Sequence, residues 1–504
     1  MFRIDPMNYE LSRRIQAFDA FISHDWRATH SGKFLCLTII FNSPAAAVAS
    51  SLVSILLGIL VLCEVIDDDL ALLLTPICLA TFYIVLFSWH WLRCLIRRPV
   101  MIFLDKFCIA QHSEELKMKG ILGLGAFLLQ SKNLLVLWSP QYFSRLWCTY
   151  ELVTFLKDKP RQDAVTFMPV KMSYLLFLFS AFWHAVVFSY YLLQEVLDIV
   201  IGTDETDDLF LSYLLFLVGC LACLVIPFVN YLGIELMSDL EILPKQLETF
   251  RIQDASCFCC SNGHTHPVTG RSIPCDRQLV HETLCNWTNG RPGMQKDTEA
   301  TLEFFNDLVQ QRLSRVVLQS LRGTFPAMHV LCMTCVCNVP FISVYIAAGI
   351  LKMLEGGEGE EGEDGEDGED VGAGVILRGF CQATYPVLVI LFAARFFQPL
   401  LKLGLFLQKL VPRAVASCLL VPVMLAFSIL TWFPFEYTLQ LTEDEEDKLL
   451  PLIPYAALLL ATAFAYAHCL CANTRPTVEV GCQARSEARE KDEAAESEDS
   501  TVSL

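Results

Sequence analysis

Eight apolar stretches divide the chain. They lie at residues 43–63, 70–91, 172–193, 209–236, 325–351, 375–394, 414–433 and 449–471. Each runs about 20 to 28 residues, enough to cross roughly 30 Å of hydrocarbon at a rise of about 1.5 Å per residue. The pattern predicts an α-helical multi-pass membrane protein with about eight transmembrane helices. The first two helices form a hairpin at 43–95 and the next two a hairpin at 172–236. The last four lie within 325–472. Polar pieces remain at 1–42, 96–171, 237–324 and 473–504.

Inside those pieces the periodicity changes. Residues 17–23 (AFDAFIS) alternate and end at His24-Asp25, which predicts a strand running into a turn. Residues 100–104 (VMIFL) and 133–138 (NLLVLW) are continuously apolar, and 164–170 (AVTFMPV) reads as a fourth strand. Residues 114–130 and 145–157 carry helical spacing. Strands buried on both faces and alternating with helices predict a parallel α/β sheet. The sheet would be assembled from 1–42 and 96–171, split by the first membrane hairpin.

Composition narrows the class. Hydrophobic residues make up 54% of the chain and charged residues 18%, against about 25% charged in an average soluble domain. A soluble globular protein and a disordered one are both excluded. The net charge of −18 argues against nucleic acid as a partner. The 21 cysteines form no regular framework and read mostly as reduced core thiols.

Charge also predicts direction. The loops at 64–69, 204–208, 355–370 and 436–447 hold 24 acids, facing only Lys352, Arg378 and Lys448. The other side carries Arg93, Arg97, Arg98, Lys171, Arg395, Lys402, Lys409 and Arg413 beside the spans. The positive-inside rule then places both termini in the cytosol of a multi-pass integral membrane protein. The Gly- and acid-rich loop 355–370 and the acidic tail 473–504 cannot bury a core and are expected to be disordered.

Three segments carry a resemblance. Phe18-Asp19-Ala20-Phe21-Ile22-Ser23 resembles the opening motif of Toll/interleukin-1 receptor (TIR) domains. Phe103-Leu104-Asp105-Lys106 resembles their second strand and the loop after it. Residues 139–152 (SPQYFSRLWCTYEL) resemble the family's S-x-x-Y-x-x-S-x-W-C-x-x-E-L stretch on the third helix. The resemblance covers about 90 residues, in the family's order, and the whole layout is similar to multi-pass proteins of unicellular algae. It implies a flavodoxin-like cytosolic module that acts in signalling by self-association or by binding other TIR domains. The membrane hairpin stands where the family has its first helix. The fifth strand is missing from its usual place, and 247–252 (LETFRI) is expected to supply it.

Some TIR domains cleave NAD⁺ between nicotinamide and ribose, through an oxocarbenium-like state that one carboxylate can stabilise. The resemblance implies Glu151 as that catalytic carboxylate. Ser23, Trp26, Phe107 and Ser139 would gather at the carboxyl ends of the strands, where open α/β sheets bind ligands. Trp26 and Phe107 would stack on a base, and Ser139 would meet a ribose or phosphate oxygen. Other TIR domains keep this Glu and only assemble. On that reading Glu151 is a solvated or salt-bridged residue, Ser139 caps the following helix, and Trp147 is core.

The segment 237–324 adds Cys257, Cys260, His264, His266 and Cys275. Thiolates and imidazoles so spaced suggest a structural zinc site. The alternative is a loop of reduced or palmitoylated cysteines. Asp276 reads as the cap of the next helix. The helix expected at 298–321 packs on the sheet or meets membrane lipid through Arg312, Arg315 and Arg322. A second function class remains open. The spans contain His184, Asn230, Glu235, His329, Asn338 and Arg378, and a channel or transporter with a cytosolic regulatory domain would use such groups.

Overall fold

The computed structural model describes all residues except 1–6, 67–74, 98, 111, 157–163, 202–205, 266, 268–269, 289–297, 316, 318–326, 335–338, 340–342, 344–346, 348–367, 442–449 and 475–504. In chain order, the α/β module contributes β1 (Phe18–His24), β2 (Ile102–Phe103), β3 (Ser131–Trp138) and β4 (Val165–Pro169). The helices that matter to the architecture are α1 (His30–Leu62), α2 (Thr75–Leu95), α3 (Glu114–Leu122), α4 (Leu124–Leu129), α5 (Leu146–Leu156), α6 (Val170–Ile201), α7 (Thr206–Glu248), α8 (Asp276–Thr288), α9 (Thr298–Asp307), α10 (Gly368–Leu407), α11 (Arg413–Leu419), α12 (Val421–Leu441) and α13 (Leu452–Thr474).

All four strands are parallel, in the order β2-β1-β3-β4. The register pairs Ser23 with Val136 and His24 with Leu137, and Val136 with Phe167. A continuous apolar run forms the inner strand β3 because both of its faces are covered. Leu134, Leu135, Val136, Leu137 and Trp138 are all buried. Phe21 stacks on Phe103 at 4.5 Å between ring centres, and Phe103 on Phe127 at 4.9 Å. The helical run expected at 114–130 is two helices, α3 and α4, separated at Gly123.

The strand expected at 247–252 does not form. Helix α7 continues through Glu248, and the chain then makes a short 3-10 turn at Ile252–Asp254. Leu243, Leu247, Phe250 and Ile252 are all buried. Most of that spacing is helical, and the alternation of Phe250, Arg251 and Ile252 hid it. The backbone groups a strand would pair are taken by side chains. The Ile252 N–H donates to Asn306 Oδ1 at 2.8 Å, and Gln310 Nε2 donates to the Phe250 carbonyl at 2.9 Å.

Six helices among the described residues are long and apolar enough to cross a membrane: His30–Leu62, Pro76–Leu95, Val170–Ser189, Phe216–Glu248, Gly379–Leu407 and Arg413–Thr438. These coincide with six of the eight expected spans. The last expected span is helical in α13, whose described apolar part, Leu452–Ala467, is shorter. The expected span at 325–351 lies largely outside the described residues, as do the loop 355–367 and the tail from 475. Large apolar side chains face outward along the helices. Leu52, Leu56, Ile84, Phe216, Leu224, Leu430 and Phe464 are all exposed, as surfaces in contact with lipid require.

Two spans begin at the sheet. Residues 25–29 join β1 to α1, so residues 30–42, expected in the aqueous module, already belong to a 33-residue helix. Strand β4 ends at Pro169 and α6 begins at Val170. The first turns of α1 and α6 pack together. A side chain added at Gly32 would meet Thr29 Oγ1 at 2.8 Å and Tyr174 Cε2 at 2.9 Å, so only glycine permits this approach. Tyr174 OH bonds to Ser31 Oγ at 2.6 Å and Thr29 Oγ1 at 3.0 Å, and Ser173 Oγ donates to the Gly32 carbonyl at 3.2 Å. The spans therefore leave from the carboxyl edge of the sheet.

Candidate functional site

Strand β1 delivers Ser23 and His24 to that edge, followed by Asp25 and Trp26. Helix α5 packs beneath and presents Glu151. The side chain of Glu151 is buried, with 9% of the residue exposed, and Ser23 is fully buried. Ser23 Oγ donates to Glu151 Oε2 at 2.5 Å and lies 2.6 Å from Tyr142 OH. Tyr142 OH donates in turn to the Cys148 carbonyl at 3.2 Å. Burial raises the Glu151 carboxyl from 4.5 to about 8; the Ser23 hydrogen bond works against that shift, and the charge of Asp105 adds to it. Burial also pushes the Tyr142 hydroxyl and the Cys148 thiol well up. Near neutral pH the cluster is largely uncharged.

Above it lies a charged rim. Asp25 is buried and is held by four groups. Arg145 Nε is 3.7 Å from Asp25 Oδ1, Ser139 Oγ donates to Asp25 Oδ2 at 3.3 Å, and the Arg27 N–H donates to Asp25 Oδ1 at 3.1 Å. Lys33 Nζ donates to the Asp25 carbonyl at 3.1 Å. Trp26 Nε1 donates to Asp105 Oδ2 at 2.8 Å, and the Trp26 ring stacks near His24 at 6.1 Å. Burial holds the His24 imidazole below its usual range, with Asp105 pulling it back. Phe107 is half-buried in the short helix Asp105–Cys108, with Lys106 Nζ 5.8 Å from its ring centre.

The four residues expected at this edge, Ser23, Trp26, Phe107 and Ser139, are in different conditions, and Glu151 reaches Ser23 from α5. Ser23 is enclosed and bonded to Glu151. Ser139 bonds Asp25 and does not cap a helix, because Gln141 precedes the turn Tyr142–Ser144. Trp26 and Arg27 face outward. Glu151 is neither solvated nor salt-bridged. Trp147 is half-buried and packs against the edge of the core. Tyr142 and Asp25 were missed as functional residues. Tyr142 stands at a fixed place in the 139–152 motif, which was the available signal.

A second cluster lies in the segment after α7. That segment is fastened to α5 through Ser256. The Leu146 N–H donates to the Ser256 carbonyl at 3.1 Å, and the Ser256 N–H donates to the Ser144 carbonyl at 2.7 Å. Cys259, Cys260, His264 and Cys275 bring one donor atom each to within 4.8 Å of one another. Cys260, His264 and Cys275 were expected there. Cys259 occupies the place expected for Cys257, and His266 lies outside the described residues. The C-x-x-C spacing favours Cys257, whose sulfur lies 3.5 Å from Cys259 Sγ but is not one of the four donors gathered within 4.8 Å. Asp276 is the first residue of α8 and not its cap. Compared with known proteins, the chain matches no family model, no curated protein and no solved structure.

Proposed function

We propose that the chain is a membrane-anchored signalling protein whose TIR-like α/β module faces the cytosol and works by self-association or by binding a module of the same kind. The strand order β2-β1-β3-β4 is that of flavodoxin-like sheets, which supports the resemblance of the three motifs. One observation carries the choice of role. The Glu151 carboxyl is buried, bonded to Ser23 and raised to about 8. A carboxylate that stabilises an oxocarbenium-like cation must be ionised and within reach of it. Here the charge is suppressed and the group is enclosed, so Glu151 serves the module's core. The rim of Trp26, Arg27 and Arg145 is then the surface on offer. Anchoring in a bilayer raises the effective concentration of such weak contacts.

The polar groups of the spans support packing rather than a transport path. Asn42 Nδ2 donates to the Leu86 carbonyl at 2.8 Å, Asn230 Nδ2 to the Ser417 carbonyl at 3.1 Å, and Ser50 Oγ to the Cys78 carbonyl at 2.9 Å. Each bonds a neighbouring helix, as polar residues between membrane helices do.

The test places full-length protein, labelled with donor and acceptor fluorophores, in vesicles at controlled density. Energy transfer above that of a non-associating membrane protein is expected, with a loss in Trp26→Ala/Arg27→Ala. Transfer equal to the control would overturn association. In the same vesicles, release of nicotinamide from NAD⁺ that disappears in Glu151→Ala would replace this reading with an NAD⁺ hydrolase.

A further inference from the structure

The segment between the end of α7 and the start of α8 collects four soft donors around one point. Cys259 and Cys260 lie in the one-turn helix Phe258–Ser261. The chain then turns at Gly263 and His264, with φ of 60° and 57°. A bridge between Thr265 and Ser272 returns it to Cys275, immediately before α8. Sulfur separations are 3.9 Å for Cys259 to Cys260 and 3.9 Å for Cys260 to Cys275. A tetrahedral zinc about 2.3 Å from each sulfur requires sulfur pairs about 3.8 Å apart. A disulfide would need about 2.05 Å. The donors are already spaced as a zinc shell.

The surroundings fit as well. The Asp276 N–H donates to Cys259 Sγ at 3.2 Å, the kind of outer contact that orients a metal-bound thiolate. Cys275 stands at the N-terminus of the 13-residue helix α8, where the helix dipole favours an anionic ligand. Zinc with three thiolates and a neutral imidazole carries one net negative charge, and Arg277, two residues beyond Cys275, brings a guanidinium to this segment, where its Nη2 donates to the Ala255 carbonyl at 2.7 Å. Thiolate and imidazole donors with no carboxylate among them select zinc over magnesium or calcium.

We propose that Cys259, Cys260, His264 and Cys275 bind one structural zinc ion. Four protein ligands close the shell and leave no position for water, so the ion holds structure and does not activate a nucleophile. Binding displaces the three thiol protons to solvent. The ion ties the Cys257–Cys275 turn to α8, and through Ser256, which bonds Ser144 and Leu146, it braces the start of α5. Cys257 is outside the shell.

The experiment uses full-length protein purified in nanodiscs from zinc-supplemented cells, with metal measured by mass spectrometry. About one zinc per chain is expected in the wild type and in Cys257→Ser, and less than about 0.2 in Cys260→Ser, Cys275→Ser and His264→Ala. Because those variants can also lose their fold, cobalt exchange into the wild type is read in parallel. Thiolate-to-cobalt charge-transfer bands with strong visible bands of tetrahedral cobalt are expected. Less than about a tenth of a zinc per chain without those bands would overturn the proposal. A Cys260–Cys275 disulfide found by peptide mapping would overturn it too. Zinc lost in Cys257→Ser and kept in Cys259→Ser would overturn the ligand set.

Discussion

Replacing Glu151 by glutamine removes a titrating group and keeps its volume. The carboxyl stands at about 8 in the folded protein and at 4.5 when released, with burial as the main cause and Ser23 opposing it. The folded state therefore holds this proton more tightly than the unfolded one. Stability is full below pH 4.5, falls as pH rises, and levels off above about 8. At about 1.36 kcal/mol per pKa unit the whole span is worth at most ~5 kcal/mol. Local relaxation and water entry reduce that, so a loss of about 2–3 kcal/mol between pH 5 and 8 is expected. The amide of the Glu151→Gln variant has no such proton, and its carbonyl can still accept from Ser23. The assay is hydrogen exchange of α5 peptides in nanodiscs, corrected for the intrinsic chemical rate at each pH. The wild-type opening free energy falls across the range, and that of Glu151→Gln stays level. Parallel curves for the two proteins, or a wild-type helix that grows more stable toward pH 8, would refute the reasoning.

Three further outcomes follow from the contacts. Ser23→Ala leaves Glu151 and Tyr142 without their shared hydroxyl and lowers the opening free energy of α5 by about 1–3 kcal/mol; exchange unchanged from the wild type would mean the bond carries nothing. Gly32→Leu places a side chain where Tyr174 and Val170 already stand, and separation of the α1 and α6 starts should cost about 1–3 kcal/mol in detergent unfolding. Lys171 lies 2.8 Å from Glu235 and 2.6 Å from Asp239. Lys171→Met should destabilise the bundle by about 1–3 kcal/mol, with recovery in Lys171→Met/Asp239→Asn; a double variant no better than the single one would sink the ion-pair account.

Much of this architecture is legible in the sequence, where a period is unambiguous. Residues 134–138 are apolar without interruption, as a strand covered on both faces requires. Six expected spans coincide with long apolar helices. The errors fall where two periods overlap. Leu243, Leu247 and Phe250 suit a helix face, but from Leu247 onward alone the run also suits a strand. The choice was made by Asn306 and Gln310, 54 and 60 residues away, whose side chains take the backbone groups. Glu151 was readable as a chemically special residue and not as an enclosed one, because enclosure depends on Ser23 and Tyr142 arriving from other elements. Cys259 was passed over because spacing rules weigh pairs with two residues between them, such as Cys257 and Cys260. The helix at Phe258–Ser261 turns adjacent cysteines toward one centre.

The junction at Pro169 and Val170 has mechanical consequences. A strand that becomes a membrane helix in one step has no hinge to absorb rotation. Helix α6 is 32 residues long, about 48 Å at 1.5 Å per residue, and a second rigid arm, α1, starts only five residues beyond β1. Membrane helices answer a change in bilayer thickness by tilting. A tilt of about 10° about the junction swings the far end of a five-residue strand, roughly 17 Å long, by about 3 Å. A sheet fixed to its spans in this way would turn with them as a lever, and a change in bilayer thickness would alter the angle at which the rim meets whatever lies beside it.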